Sequence, residues 1–115
     1  MSFKTDLDAL ILGVLQDSPA HGYEIAHRVR RLSASALELG ENRLYPSLKA
    51  LEDASLVEAQ WEPQVGRPPR RVYRLTPQGR RELDAKRSAW LKFSDAVDVI
   101  LSPRMAREVR DGKVS

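Results

Sequence analysis

The stretch from Val57 to Leu75 constrains this 115-residue chain more than any other. VEAQWE (57–62) and RVYRL (71–75) both alternate apolar and polar side chains, the period of a strand with one buried face. The eight residues between them, PQVGRPPR, are too rich in proline and glycine to extend either run and predict a stiffened hairpin tip. A lone two-stranded hairpin is barely stable in water, so it must lie against a larger body. Everything before it reads as helix.

Leu7, Leu10, Ile11, Val14 and Leu15 recur at helical spacing, with Asp6 or Thr5 as the cap and Asp17-Ser18-Pro19 as the stop. HGYEIAHRVRRL (21–32) restarts the period with Ile25, Val29 and Leu32 on one face, and His21 helps to start it. SASALELG (33–40) breaks the pattern, and Gly40 closes a loop. ENRLYPSLKALEDASLV then puts Leu44, Leu48 and Leu51 on one stripe. An interior proline costs a helix about 3 kcal/mol, but one in the first turn has no amide bond to lose. Pro46 therefore predicts a third helix starting within a few residues of it, capped by Asn42. After the hairpin, Thr76 caps a long helix that begins at Pro77 and runs to Ser102-Pro103.

The order is helix, helix, helix, hairpin, long helix. It predicts an α+β, mainly α fold: a winged helix-turn-helix over 1–76, a long C-terminal dimerisation helix over 77–102, and a polar tail over 103–115 that frays. In such a fold the third helix reads the major groove of DNA and the hairpin, or wing, touches flanking backbone or minor groove.

Charge placement agrees. Between Glu62 and Glu82 stand six arginines (67, 70, 71, 74, 80 and 81) and no acid, on a chain of net charge +3, so the remaining residues sum to −3. A concentrated cationic face on a balanced protein suits a polyanion. With 42% apolar and 30% charged residues the chain is globular rather than disordered. It has no cysteine, which removes disulfides, thiolate metal sites and thiol nucleophiles and fits a cytoplasmic protein. No signal peptide is visible, and the apolar run Ala9–Leu15 is too short to span a bilayer. His21 and His27 lack partners at metal spacing, and there is no phosphate loop or nucleophile motif, so no enzyme, metal or cofactor is expected.

Three segments carry a resemblance: HGYEI (21–25), LYPSLKALEDASLVE (44–58) and GRPPRRVYRLTPQGRREL (66–83). Together they are similar to the PadR family of transcriptional regulators, in particular to its short subfamily with a single C-terminal helix. The likeness covers roughly residues 7–101. It implies operator binding as a homodimer, commonly repression, and a response to small aromatic or drug-like effectors. One departure is Ser55, where the family usually carries glycine in the turn after the third helix.

On this reading Asn42, Arg43, Tyr45, Ser47 and Lys49 form the exposed start of the recognition helix. The Arg43 fork matches guanine O6 and N7, while Tyr45, Ser47 and Lys49 suit phosphates; Tyr45 equally suits packing against the second helix. The family pattern points Tyr23 at a phosphate, with a ring covering the edge of the core as the alternative. Gly66 lets the wing approach the duplex, Arg67 suits a narrow minor groove, and Arg70 and Arg71 fit phosphates. Arg74 either joins them or pairs with Glu58 or Glu62 across the hairpin.

In the long helix Leu83, Trp90 and Val97 repeat every seven residues, joined by Phe93 and Ile100, which predicts a seam against a second copy and so a palindromic operator, with a helix folded back on its own domain as the alternative. The resemblance places Trp90 where some relatives stack planar ligands, making it the candidate contact for an aromatic or cationic effector. The alternatives to a regulator are a winged-helix protein-interaction module and a nonspecific architectural DNA binder.

Overall fold

The computed structural model describes residues 6–102. The element order is α1 (Leu7–Leu15), β1 (Ala20–His21), α2 (Gly22–Leu32), α3 (Glu41–Asp53), β2 (Val57–Gln64), β3 (Arg67–Leu75) and α4 (Pro77–Leu101). Residues up to Leu83 form one compact unit and those from Asp84 a second. The expected polar tail lies outside the described residues, as does Thr5.

Each helix start has an identifiable cause. The Asp6 carboxylate accepts the Ala9 amide at 3.1 Å, so Asp6 caps α1. His21 caps α2 through Nδ1, which accepts the Glu24 amide at 3.1 Å. Thr76 Oγ1 accepts the Gly79 amide at 2.9 Å and donates to the Ser55 carbonyl at 2.7 Å, so the cap of α4 is tied to the end of α3. The third helix departs from expectation. Its cap is Gly40, which offers no side-chain bond, and Asn42 lies inside the first turn. Pro46 is consequently the sixth helical residue rather than a first-turn one, and its ring removes the amide that would bond the Asn42 carbonyl.

The core of the first unit is wholly apolar, with Ile11, Leu12 and Leu15 of α1, Ile25 and Val29 of α2, and Leu44, Leu48 and Leu51 of α3 at most 3% exposed. Each such side chain contributes about 1.5–3 kcal/mol by leaving water. Leu32, expected on the buried face of α2, is instead 70% exposed, because the helix ends there before the chain turns away. Val57, Tyr73 and Leu75 close the core from the sheet.

That sheet has three strands in the order β1-β3-β2, all antiparallel. β1 pairs Ala20 with Tyr73 and His21 with Val72, and so anchors the start of α2 to the root of the wing. The hairpin is longer than its alternation suggested: pairing runs from Val57↔Leu75 out to Gln64↔Arg67, with a bulge between Glu62 and Gln64. The tip is therefore only Val65-Gly66, and Gly66 supplies the positive φ of 70° that it requires. Pro63, Pro68 and Pro69 fall at the irregular outer end, where the missing amide donors disrupt little.

Candidate nucleic-acid interface

The buried stripe of α3 fixes which of its residues face outward. With Leu44, Leu48 and Leu51 in the core, Asn42, Arg43, Tyr45 and Lys49 are exposed and Ser47 is half-buried. The Arg43 side chain makes no hydrogen bond or ion pair among the described residues, leaving its guanidinium available. Lys49 lies 3.6 Å from Asp53 in an exposed i,i+4 pair. Tyr45 does two things at once: about half its surface is open, and its ring rests on Gly22, where an added Cβ would stand 2.8 Å from Tyr45 Cε1 and its hydroxyl. Gly22 thus lets α2 and the recognition-helix tyrosine approach.

Strand parity sorts the wing arginines. Arg71 and Tyr73 lie on the core-facing side with Trp61, whereas Arg70 and Arg74 lie on the opposite side with Glu62, Gln60 and Glu58. Arg70 donates from Nε and Nη2 to Glu62 Oε1, at 3.2 and 2.8 Å. Arg71 Nη2 donates to Glu52 Oε2 on α3 at 2.6 Å, and its guanidinium carbon lies 5.7 Å from the Trp61 ring centroid and 5.9 Å from that of Tyr73. Arg74 meets Glu58 at 4.0 Å and Gln60 at 3.3 Å, so of the two roles open to it the cross-strand pairing is the one observed. The Arg67 side chain, beside Gly66, has no hydrogen bond or ion pair among the described residues.

These elements meet around one open groove of about 390 Å³, lined by His21, Gly22 and Tyr23 from α2 and its cap, Tyr45 from α3, and Gln64, Arg67, Arg70, Arg71 and Tyr73 from the hairpin. Because His21 Nδ1 accepts the Glu24 amide, the proton of its neutral ring sits on Nε2, available as a donor. Tyr23 is exposed and stacks on His27, ring planes 4° apart and centroids 6.4 Å apart. Burial pushes the Tyr73 hydroxyl's pKa up, opposed by the Arg71 guanidinium and reinforced by Glu52 and Tyr45, so Tyr73 stays a neutral donor. Three tyrosines, three arginines and a histidine give the open cleft a cationic lining rich in hydrogen-bond donors.

Residues 11–85 match the transcriptional regulator PadR-like family. The chain belongs to that family. A PadR family transcription regulator from hypervirulent Clostridium difficile is 30% identical, with a TM-score of 0.73 over 84% of this chain and 98% of that one. A transcriptional regulator from Clostridium thermocellum shares the fold at 23% identity and a TM-score of 0.77, over 84% of this chain and 93% of its own. Bacillus subtilis PadR, whose structure contains operator DNA, is 27% identical with a TM-score of 0.63, over 74% of this chain and 46% of that one. The protein is thus a DNA-binding transcriptional regulator with a winged helix-turn-helix.

In this PadR-like chain His21, Gln64, Tyr73 and the carboxylates Glu52 and Glu62 belong to the groove or brace it; the sequence offered His21 only as a helix start and Glu62 only as a partner for Arg74, and the other three did not stand out. Strand parity was the available signal for Tyr73 and Trp61; the Glu52–Arg71 contact, nineteen residues apart, left none. Of the residues expected in the dimer seam, Leu83 lies in the core of the first unit at 7% exposed. In the second unit Trp90, Phe93 and Ile100 are 58%, 38% and 77% exposed and Val97 is half-buried. The Trp90 and Phe93 rings are tilted by 38° with centroids 5.8 Å apart. Among the described residues no group of three potential ligands could hold a metal ion, and no helix is long and apolar enough to cross a membrane.

Proposed function

We propose that this PadR-like regulator is a cytoplasmic homodimeric repressor that binds a palindromic operator and is released by a small aromatic or drug-like effector. The observation that carries the DNA contacts is the groove, which gathers Tyr23, Tyr45 and Arg67 from three elements far apart in sequence. In this reading α3 enters the major groove. Arg43 forks onto guanine, and Asn42, Tyr45, Ser47 and Lys49 fix the helix against bases and phosphates. The Val65-Gly66 tip carries Arg67 into the minor groove, where the unpartnered guanidinium meets the strongest negative potential. Tyr23 and Arg70 take backbone phosphates, and Arg71 frames the cleft between them.

Dimerisation is supported by the second unit, whose exposed Trp90, Phe93 and Ile100, with half-buried Val97, lack a core of their own. Pairing through them gives two recognition helices and hence a two-fold operator. The tilted Trp90–Phe93 pair offers ring faces to a flat effector, whose binding shifts operator affinity through that seam.

The test is selection of a binding site from a randomised duplex pool, followed by filter binding across a salt series. An enriched inverted repeat bound far more tightly than its scrambled version is the expected result. Arg67→Ala should weaken binding to all duplexes and reduce the log–log salt slope by about one. No retention of any duplex at low salt would overturn the DNA contacts proposed here.

A further inference from the structure

Arg70 and Arg71 are sequence neighbours on one wall of the groove, each held by a carboxylate, yet the two attachments differ in kind. Arg71 has three partners: the Glu52 carboxylate at 2.6 Å and the rings of Trp61 and Tyr73, the Arg71 and Glu52 side chains being 41% and 28% exposed. That guanidinium is held by three groups, and it ties the wing to α3. Arg70 has one partner. Both of its donating nitrogens crowd onto the single oxygen Oε1 of Glu62, and the two side chains are 42% and 49% exposed. An exposed pair of this sort is weak and exchanges readily. A phosphate offers separate oxygens to the two donors, a better match to the guanidinium fork than one carboxylate oxygen.

We infer that Glu62 is a stand-in phosphate: it holds Arg70 at the groove rim in the free protein, yields it to a backbone phosphate when a duplex binds, and so lowers the protein's sequence-independent DNA affinity by one charge. The inference rests on the DNA contacts proposed above. Glu62 tunes affinity without touching DNA itself, whereas Glu52 positions the wing and keeps its arginine throughout. Two similar carboxylate–arginine pairs thus have opposite consequences when the acid is neutralised.

The experiment compares Glu62→Gln, Glu52→Gln and Glu58→Gln, which each remove one negative charge, by filter binding to an arbitrary duplex of about 25 base pairs, long enough for two half-sites. Melting temperatures confirm that each variant is folded. The expected result is that Glu62→Gln alone binds several-fold tighter at low salt, with an unchanged log–log slope, because Arg70 meets the same phosphate in both proteins. Glu52→Gln should bind no tighter than wild type, because its arginine stays against the Trp61 and Tyr73 rings. Equal tightening by all three variants would overturn the inference in favour of general charge repulsion. Unchanged binding by Glu62→Gln, with wild type still bound, would overturn the inference by showing that Glu62 does not compete with DNA for Arg70. Failure of the wild type to bind any duplex at low salt would sink the DNA contacts themselves, a distinguishable outcome.

Discussion

Ser55 occupies the turn that leaves α3 with φ of 63°, in the left-handed region where a Cβ crowds the following carbonyl. The Leu56 amide closes that turn onto the Leu51 carbonyl at 2.9 Å, and the Ser55 carbonyl accepts from Thr76, so the conformation is fixed from both sides. Only the Ser55 backbone takes part in these bonds. Ser55→Gly should therefore stabilise the protein by about 0.5–1 kcal/mol, the relief of strain exceeding the added unfolded-state entropy. Urea denaturation would measure it, and a loss of stability would mean the side chain contributes something these contacts do not show. This residue was legible in the sequence, because a serine stood where the family resemblance implied glycine. Gly79 was not: it reads as an ordinary helix residue, yet a Cβ there would collide with the Leu56 carbonyl oxygen, so the long helix approaches the α3–β2 corner only because that side chain is missing. Contacts between positions distant in sequence leave no trace in local pattern, which is why Glu52 of the groove also went unnoticed.

At the scale of elements, the helices were legible and their junctions were not. Apolar spacing placed α1, α2 and α3, since burial of one face dictates both the period and the helix. β1 is two residues long, too short to show alternation, and exists because the β3 edge beside it supplies partners. The hairpin's outer third was hidden because proline and glycine signal a turn wherever they occur, whereas here a bulge accommodates them within paired strands. The α1–α2 corner rests on Arg28. Its guanidinium, in a side chain 15% exposed, donates to the carbonyls of Val14, Ser18 and Pro19 and to Glu24. Arg28→Met should cost about 2–3 kcal/mol, because carbonyls satisfied by a charged donor lose their partner. Glu24→Gln removes only an i,i+4 pair and should cost at most about 0.5 kcal/mol. Equal costs in thermal unfolding would show that the ion pair, not the carbonyl clamp, holds the corner.

For the whole molecule, the order of three helices, hairpin and long helix was sufficient to specify the winged helix-turn-helix, because few arrangements bury those faces together. The proposed seam was only partly readable. The heptad spacing ran through Leu83, which the core claims, so periodicity alone could not separate a face buried within one chain from a face exposed for another. If Trp90, Phe93, Val97 and Ile100 form the seam, Ile100→Lys should give a folded monomer with operator affinity lowered at least tenfold, a charge within the seam being left without a partner. Sedimentation equilibrium would show it, and a persistent dimer would place the seam elsewhere. The chain's two tryptophans fall one in each unit, Trp61 beside Arg71 on the wing and Trp90 beside Phe93 on the long helix, both well exposed. The molecule therefore carries its own pair of optical reporters, and replacing either by phenylalanine isolates the emission of the other. With no cysteine in the sequence, one thiol introduced on the wing would be the single site for a dye, so events at the wing and along the long helix can be followed separately in one polypeptide.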